Sequence, residues 1–310
     1  VSALPFEPGL HLLHKPVGAT SHALVREAME ALAAATVGAE GAGGKPPPVV
    51  HGGTLDPFAH GLLLLLVGPA TRLFEALHAA PKTYEADVVW GAETDTGDLH
   101  GTVVSTGDAS SLTPERLDAA LRPFLGWQAQ VPPATSAKKL GGEPAYRKAH
   151  RGEAVVLPPS RVYLHAAAWV AHALPHRSRL RLTCRGGFYV RALAQEVGRA
   201  LGCGAHLAGL HRTAIGPWED PGPEGPRPHV SGRGLLPWLP VRTVAGDEVN
   251  HLKHGRSVPA APLLPPDWPL PEGYPAPEGL VRAFQKGRLV GLLAEDAGAL
   301  RMTTPLWPGV

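Results

Sequence analysis

Six large apolar residues stand in an unbroken row at Leu62–Val67, and a polar, glycine-rich stretch, HGGTLDPFAHG (His51–Gly61), runs directly into them. The row is far too short to cross a bilayer, which takes about 20 apolar residues, so it must be buried within the protein. Asp56 is thereby carried on a glycine-flanked turn at the edge of an apolar floor, where partial desolvation would make a carboxylate nucleophilic. Taken alone, Asp56-Pro57 reads as an ordinary turn, and spacing does not overturn that.

The 310 residues leave room for a large domain plus a small one. The chain is 44% hydrophobic, enough for a proper core, and its 37 glycines and 34 prolines are about twice the usual share without reaching low complexity. The opening VSALPFEPGLHLLHKP shows no basic region followed by a long apolar stretch, hence no secretion signal. Cys184 and Cys203 have no CxxC spacing, which excludes a disulfide framework and a zinc ribbon and favours a reducing, cytoplasmic setting. The net charge of +2 hides a segregation. Gln130–Ile215 holds thirteen Lys and Arg against only Glu143, Glu153 and Glu196, while the rest of the chain holds 16 basic and 24 acidic residues. Such a field is the footprint of a polyanion whose phosphates dock on the basic segment.

Periodicity gives mixed strands and helices. Gly9–His14 reads as a strand, and Thr20 or Ser21 caps a helix to about Ala35 with Leu24, Val25, Ala28, Met29 and Leu32 on its apolar face. Gly38–Pro48 reads as a flexible loop; it resembles a phosphate-binding loop, but Ala39 and Pro46 break that register. A helix is expected near Thr71–Ala79, a strand at Thr83–Gly91, and a helix after Thr113-Pro114 with Leu117, Ala120, Leu121 and Phe124 inward. Ser178–Arg185 alternates, with Leu180, Leu182 and Cys184 on one face and Arg179, Arg181 and Arg185 offering three guanidinium groups on the other. A helix over about Val190–Leu201 stops at Gly202. Glu219–Gly234 reads as an inter-domain linker. Beyond it, Leu280–Phe284, Leu289–Ala294 and Ala299–Thr303 are strand-like, and Val258–Gly279, with eight prolines, is a long surface loop.

Several ordered motifs carry a family resemblance. Lys15–Ser21 is similar to a KPxGxTS opening, and His51–Gly61 to a glycine-flanked aspartate signature. Lys82-Thr83-Tyr84 is similar to a K-x-Y strand and Thr94–Asp98 with Gly101 to a TDTxDxxG loop. Val131–Tyr146, Cys184–Arg191 and Gly202–Arg212 are similar to PPxxSAxKxxGxxxY, CxxGxY(I/V)R and GxxAHLxxLxR segments. Spanning roughly residues 9 to 216, they resemble the TruB family of tRNA pseudouridine synthases. The resemblance implies an α+β fold with a mixed, largely antiparallel sheet and flanking helices. A catalytic domain at 1–234 would contain an RNA-binding thumb at 130–156, and 235–310 would form a small β-rich, PUA-like domain.

The implied reaction turns the uridine at position fifty-five of the tRNA T loop into pseudouridine, with no cofactor, metal or nucleotide. Asp56 would be the catalytic carboxylate, Arg191 its partner, and Tyr84 the aromatic against the target base. His51 would fill the gap left by the flipped base, and Tyr189 and Leu210 would line the uridine pocket. Lys15 would contact the substrate or act structurally beneath the site. Lys138, Lys139, Arg147, Lys148 and Arg151 of the thumb would hold the RNA backbone, with Thr135 and His150 departing from the family's common tyrosine and arginine. No membrane or protein partner is implied, and a monomer is expected. The scattered histidine pairs lack the carboxylate or cysteine cluster of a metal site. Two rivals remain: a pseudouridine synthase acting on another RNA, and a non-catalytic tRNA folding chaperone.

Overall fold

The computed structural model describes residues 6–37, 45–260 and 262–310; of the loop expected at Gly38–Pro48, residues 38–44 lie outside them. The main sheet is mixed and largely antiparallel, as expected. Its order is His229–Val230, Gly9–Lys15, His60–Val67, Ala205–Ile215, Lys82–Trp90, Arg177–Cys184, Ser160–Ala173 and Gly126–Gln130. Among the described residues one pair of neighbouring strands in this sheet runs parallel, joining His60 and Gly61 to His211 and Arg212. Beyond it the same edge of the leucine-rich strand changes partner, and Leu65–Val67 pair with Val49–His51 instead. The sheet therefore splits at Leu62–Leu64. The carbonyls exposed by the split are satisfied by the Arg212 side chain on Leu62 (2.7 Å) and by the Gly52 amide on Leu64 (2.7 Å), as buried carbonyls require.

Leu62–Val67 are all fully buried because both faces of the strand are covered. Leu62, Leu64 and Leu66 enter a core shared with the C-terminal region, while Leu65 and Val67 pack beneath the helix Ser21–Val37 through Val25, Ala28 and Leu32. Double burial accounts for an unbroken apolar run where a one-sided strand would alternate. Thr20 caps that helix by accepting the Ala23 amide, and Met29, expected inward, is exposed. On the other side of the split, the helices Pro114–Leu121 and Val190–Ala200 pack Leu117, Leu121, Leu193 and Val197 onto the central strands.

The C-terminal unit is β-rich, a five-stranded sheet of Val241–Thr243, Leu280–Gln285, Arg288–Asp296, Ala299–Pro305 and Val258–Pro259. The stretch expected as a linker is instead built into the fold. His229–Val230 adds a strand to the main sheet; just beyond that stretch Leu235, Leu236, Trp238 and Leu239 complete the core beneath Leu62–Leu66. The proline-rich loop also docks: Gly273 accepts the Tyr163 hydroxyl, and Pro275 accepts the Arg185 guanidinium. Among the described residues no helix is long and apolar enough to cross a membrane.

Gly61 is the close-approach point of the parallel junction. Its φ is +110°, and a Cβ there would lie 2.4 Å from the Arg212 carbonyl oxygen. Gly61→Ala should therefore destabilise the protein by about 2–5 kcal/mol, from backbone strain plus overpacking. Urea unfolding checks this; a loss below ~0.5 kcal/mol would show that the junction yields freely.

Candidate active site

The loop from Gly52 to Ala59 leaves the split in the sheet and is pinned at many points before it presents Asp56. Arg212, almost wholly buried, donates to the carbonyls of Gly53 and Thr54 (both 3.2 Å) besides Leu62. Ser21, at the start of its helix, binds both the amide and the carbonyl of Leu55. The Gly18 amide holds the Pro57 carbonyl, and the Ala59 amide closes a turn onto Asp56. Gly53, at φ +138°, takes a conformation that side-chain-bearing residues rarely adopt.

Arg191 comes from the first turn of the helix Val190–Ala200 and is 3% exposed, whereas the Asp56 side chain is 28% open to the cleft. The guanidinium forks onto the carboxylate, Nε to Oδ2 at 2.9 Å and Nη2 to Oδ1 at 3.1 Å. Its other donors reach the Thr96 carbonyl and the Thr135 hydroxyl, both at 2.7 Å, with Asp98 at 3.6 Å behind. Thr135, at a position where the resemblance leads one to expect tyrosine, thus ties the start of the stretch expected as a thumb to this arginine. Thr94–Asp98 closes on itself through Thr94 to the Asp98 carbonyl and Thr96 to its carboxylate. The loop supports Arg191 from behind.

The cleft above this pair is a cavity of about 360 Å³, lined among others by His51, Asp56, Lys82, Tyr84, Tyr189, Arg191, Leu210 and Arg212. That is room for a nucleotide base and part of its sugar. Burial pushes the Asp56 carboxyl above its ordinary pKa, and the Arg191 charge and hydrogen bonds work against that rise. Burial also raises the phenols of Tyr84 and Tyr189, keeping them neutral, and lowers the imidazole of His51. The His51 Nδ1 is buried with no hydrogen-bond partner among the described residues. Gln130 fixes the pocket wall, bonding both the amide and the carbonyl of Tyr189.

Lys15, expected among the substrate-binding residues, does not line the cleft. Its side chain is buried, and the ammonium donates to the carbonyls of Pro16, Ala19 and Ala59 at 2.6–2.9 Å. It is a brace under the loop, with burial lowering its pKa to about 8. Within 130–156, the stretch expected as a thumb, a short hairpin (Lys139–Leu140 with Glu143–Pro144) leads into the helix Ala145–His150. Lys138 reaches Ser160 and lines the cleft. Arg151 is engaged by Glu143 and Glu153, and Lys148 by Glu153; Lys139 and Arg147 meet no carboxylate among the described residues. The guanidinium face expected on Ser178–Arg185 is mostly neutralised, because Arg179 and Arg181 stand in register with Asp87 and Glu85 of the next strand and pair with them at 2.7 Å.

Two cleft residues escaped the residue-by-residue reading. Lys82 is buried, with only long contacts to the Leu77 and Ala80 carbonyls (3.3 and 3.4 Å), and its pKa falls to about 8 by burial and the nearby Arg212. Arg212 closes the GCGAHLAGLHR segment; the K-x-Y and LxR patterns were the only signals for the pair. Of the histidines, His14 and His211 both bond Asp220 at 2.9 Å, and no group among the described residues could hold a metal.

Residues 45–190 match the TruB family pseudouridylate synthase (N terminal domain). The chain is 41% identical over 220 residues to tRNA pseudouridine synthase B of Xanthomonas campestris pv. campestris (strain B100), covering 70% of this chain and 67% of that protein. Against tRNA pseudouridine synthase B of Bordetella avium it is 40% identical over 212 residues, covering 68% and 82%. Its fold aligns with a chain of a solved Cbf5-Nop10-Gar1 complex at a TM-score of 0.61 and 21% identity, over 96% of this chain and 84% of that one. The fold and these relatives together make the chain a pseudouridine synthase. Within that class the chain belongs to the TruB family.

A pH dependence follows from the two buried lysines. Lys82 falls from 10.5 to about 8 in the folded state, so between those values the unfolded chain binds more protons and stability rises with pH. Lys15 acts with the same sign. Lys82→Met should be more stable than the parent at pH 7, by on the order of 1–3 kcal/mol, and lose about half of the rise between pH 8 and 10. Urea unfolding across that range decides it; equal slopes for both proteins would contradict the burial of a charged Lys82.

Proposed function

We propose that this protein isomerises the uridine at position fifty-five in the T loop of tRNA to pseudouridine, with Asp56 as the catalytic carboxylate. The observation that carries the reading is the two-pronged Arg191–Asp56 pair at the floor of a base-sized cleft. The naming of its relatives as tRNA pseudouridine synthases supports tRNA as the substrate. The reaction breaks the bond from C1′ to N1, turns the uracil while it is held, and joins C5 to C1′. The proton leaves C5 and one is taken up at N1, so atoms and charge balance without an external reagent.

Each chemical route needs Asp56 ionised and aimed. It attacks C6 of the uracil, attacks C1′ of the sugar, or stabilises the cationic sugar as the base departs. Arg191 keeps the charge in place inside a site drier than water, and its planar fork sets the direction of the oxygens. Tyr84, neutral and buried, offers a flat apolar face to the base and a phenol at its edge. Flipping the base out of the T loop costs a few kcal/mol. The neutral His51, which lines the cleft, suits the gap that flipping leaves, while Tyr189 and Leu210 wall the pocket. Lys138, Lys139 and Arg147 are the thumb cations best placed for phosphates, since Lys148 and Arg151 already face glutamates.

Asp56→Asn keeps the shape and loses the charge. Incubated with an unmodified tRNA transcript, it should give no pseudouridine at position fifty-five while binding the RNA within a few-fold of the parent. Modification at a tenth of the parental rate would remove Asp56 from the mechanism. Modification by the parent at a different uridine would instead favour the reading in which another RNA is the substrate.

A further inference from the structure

A second RNA contact lies outside the cleft and the thumb. Trp127 stands on Gly126–Gln130, the edge strand of the main sheet, and is 44% exposed. Arg161, on the neighbouring strand, lies over its ring at 4.2 Å, and Arg185 approaches the same ring at 6.0 Å. Tyr163, directly opposite Trp127 in register, sits 5.1 Å away and leads to Tyr274 at 5.8 Å. Two short stretches of chain connect the patch to the active site. Arg185 precedes Gly186 and Gly187 of the cleft wall, and the edge strand ends at Gln130, which holds Tyr189.

Charge and aromatic surface together mark the patch. Arg179 is compensated by Asp87, Arg181 by Glu85, and Arg199 on the adjacent helix by Glu93. Arg177, at the start of the strand that carries Arg179, is exposed without a carboxylate partner among the described residues but has no exposed aromatic opposite it in register. Arg161 and Arg185 meet no carboxylate among the described residues; Arg185 has only the Pro275 carbonyl. Two guanidinium groups without a carboxylate, Arg161 over the exposed indole and Arg185 at its margin, keep N–H donors free for an anion. Phosphate next to a flat base is the chemistry that completes such a site.

We infer that Trp127, Arg161 and Arg185 form a stacking platform for an RNA nucleotide outside the modified one, with the base on the open part of the indole and the flanking phosphates on the two arginines. The inference rests on the proposed action on RNA and adds a surface to it. The platform contributes to holding the substrate and has no part in the bond exchange.

The test uses an unmodified full-length tRNA transcript and three variants, Trp127→Ala, Trp127→Phe and Arg161→Ala. Base–aromatic stacking lost to alanine corresponds to a rise in Kd of roughly five- to a hundredfold, and Trp127→Phe should recover most of it. Arg161→Ala should flatten the plot of log affinity against log salt by about 0.7–0.9. Single-turnover conversion of bound RNA at saturating enzyme should stay close to parental in all three, showing that the cleft is intact. A Kd for Trp127→Ala within twofold of the parent, with an unchanged salt slope for Arg161→Ala, overturns the platform and leaves the proposed catalysis standing. Equal losses in the alanine and phenylalanine variants overturn stacking in favour of packing at the sheet edge. Changed self-association with unchanged RNA affinity overturns it in favour of a protein contact. If the parent itself forms no pseudouridine, it is the reading of the cleft that fails, and the binding series still judges the platform.

Discussion

The Arg191 guanidinium is almost wholly buried, and a buried cation is tolerated only when its donors and its charge are met. Here they are met by Asp56, by the Thr96 carbonyl and by Thr135. These partners come from three separate stretches of chain: the glycine-rich loop, the Thr94–Asp98 turn and the start of the stretch expected as a thumb. One side chain therefore gathers the parts of the site, and the same contacts hold the Asp56 carboxylate where burial alone would favour its protonation. Loss of the arginine would leave a half-buried carboxylate unpaired and two loops without their common anchor.

A second buried arginine sets the platform beneath. The main sheet divides at the leucine-rich strand, and Arg212 fills the division by taking the carbonyls of Leu62, Thr54 and Gly53. Gly61 allows the two backbones to come close enough for this, and Lys15 closes the far end of the loop through Ala59. The strand that carries the loop is buried on both faces, partly by Leu235, Leu236 and Trp238 of the segment that leads into the C-terminal sheet. The C-terminal region thus contributes directly to the rigidity of the site, independently of any contact with RNA.

Much of this was legible in the sequence where one local cause decides. The Leu62–Val67 run announces burial, Thr113-Pro114 opens a helix that is observed at Pro114–Leu121, and the strand-like runs Leu280–Phe284, Leu289–Ala294 and Ala299–Thr303 fall within the observed strands Leu280–Gln285, Arg288–Asp296 and Ala299–Pro305. Properties set by what lies across space were not legible. The alternation of Arg179, Arg181 and Arg185 reads as an open cationic face, yet the acids that neutralise two of them sit some ninety residues earlier on Lys82–Trp90. Lys15 reads equally as a substrate contact or as a support beneath the site, and it takes the three carbonyls around its ammonium to favour the second. The supposed linker hides a strand, because two residues, His229–Val230, give no periodicity to detect. Asp56 and Arg191 lie 135 residues apart, and only the family resemblance linked them in advance.

The central claim is that burial raises the Asp56 pKa while Arg191 restrains the rise. Site-resolved carbon NMR of the Asp56 carboxyl, titrated in the parent and in Arg191→Lys, addresses it directly. Asp56 should titrate above its ordinary value of 3.8 in the parent, and higher again in the variant, where the two-donor fork is lost. An Asp56 that titrates at or below 3.8, or at the same pH in both proteins, would contradict the account.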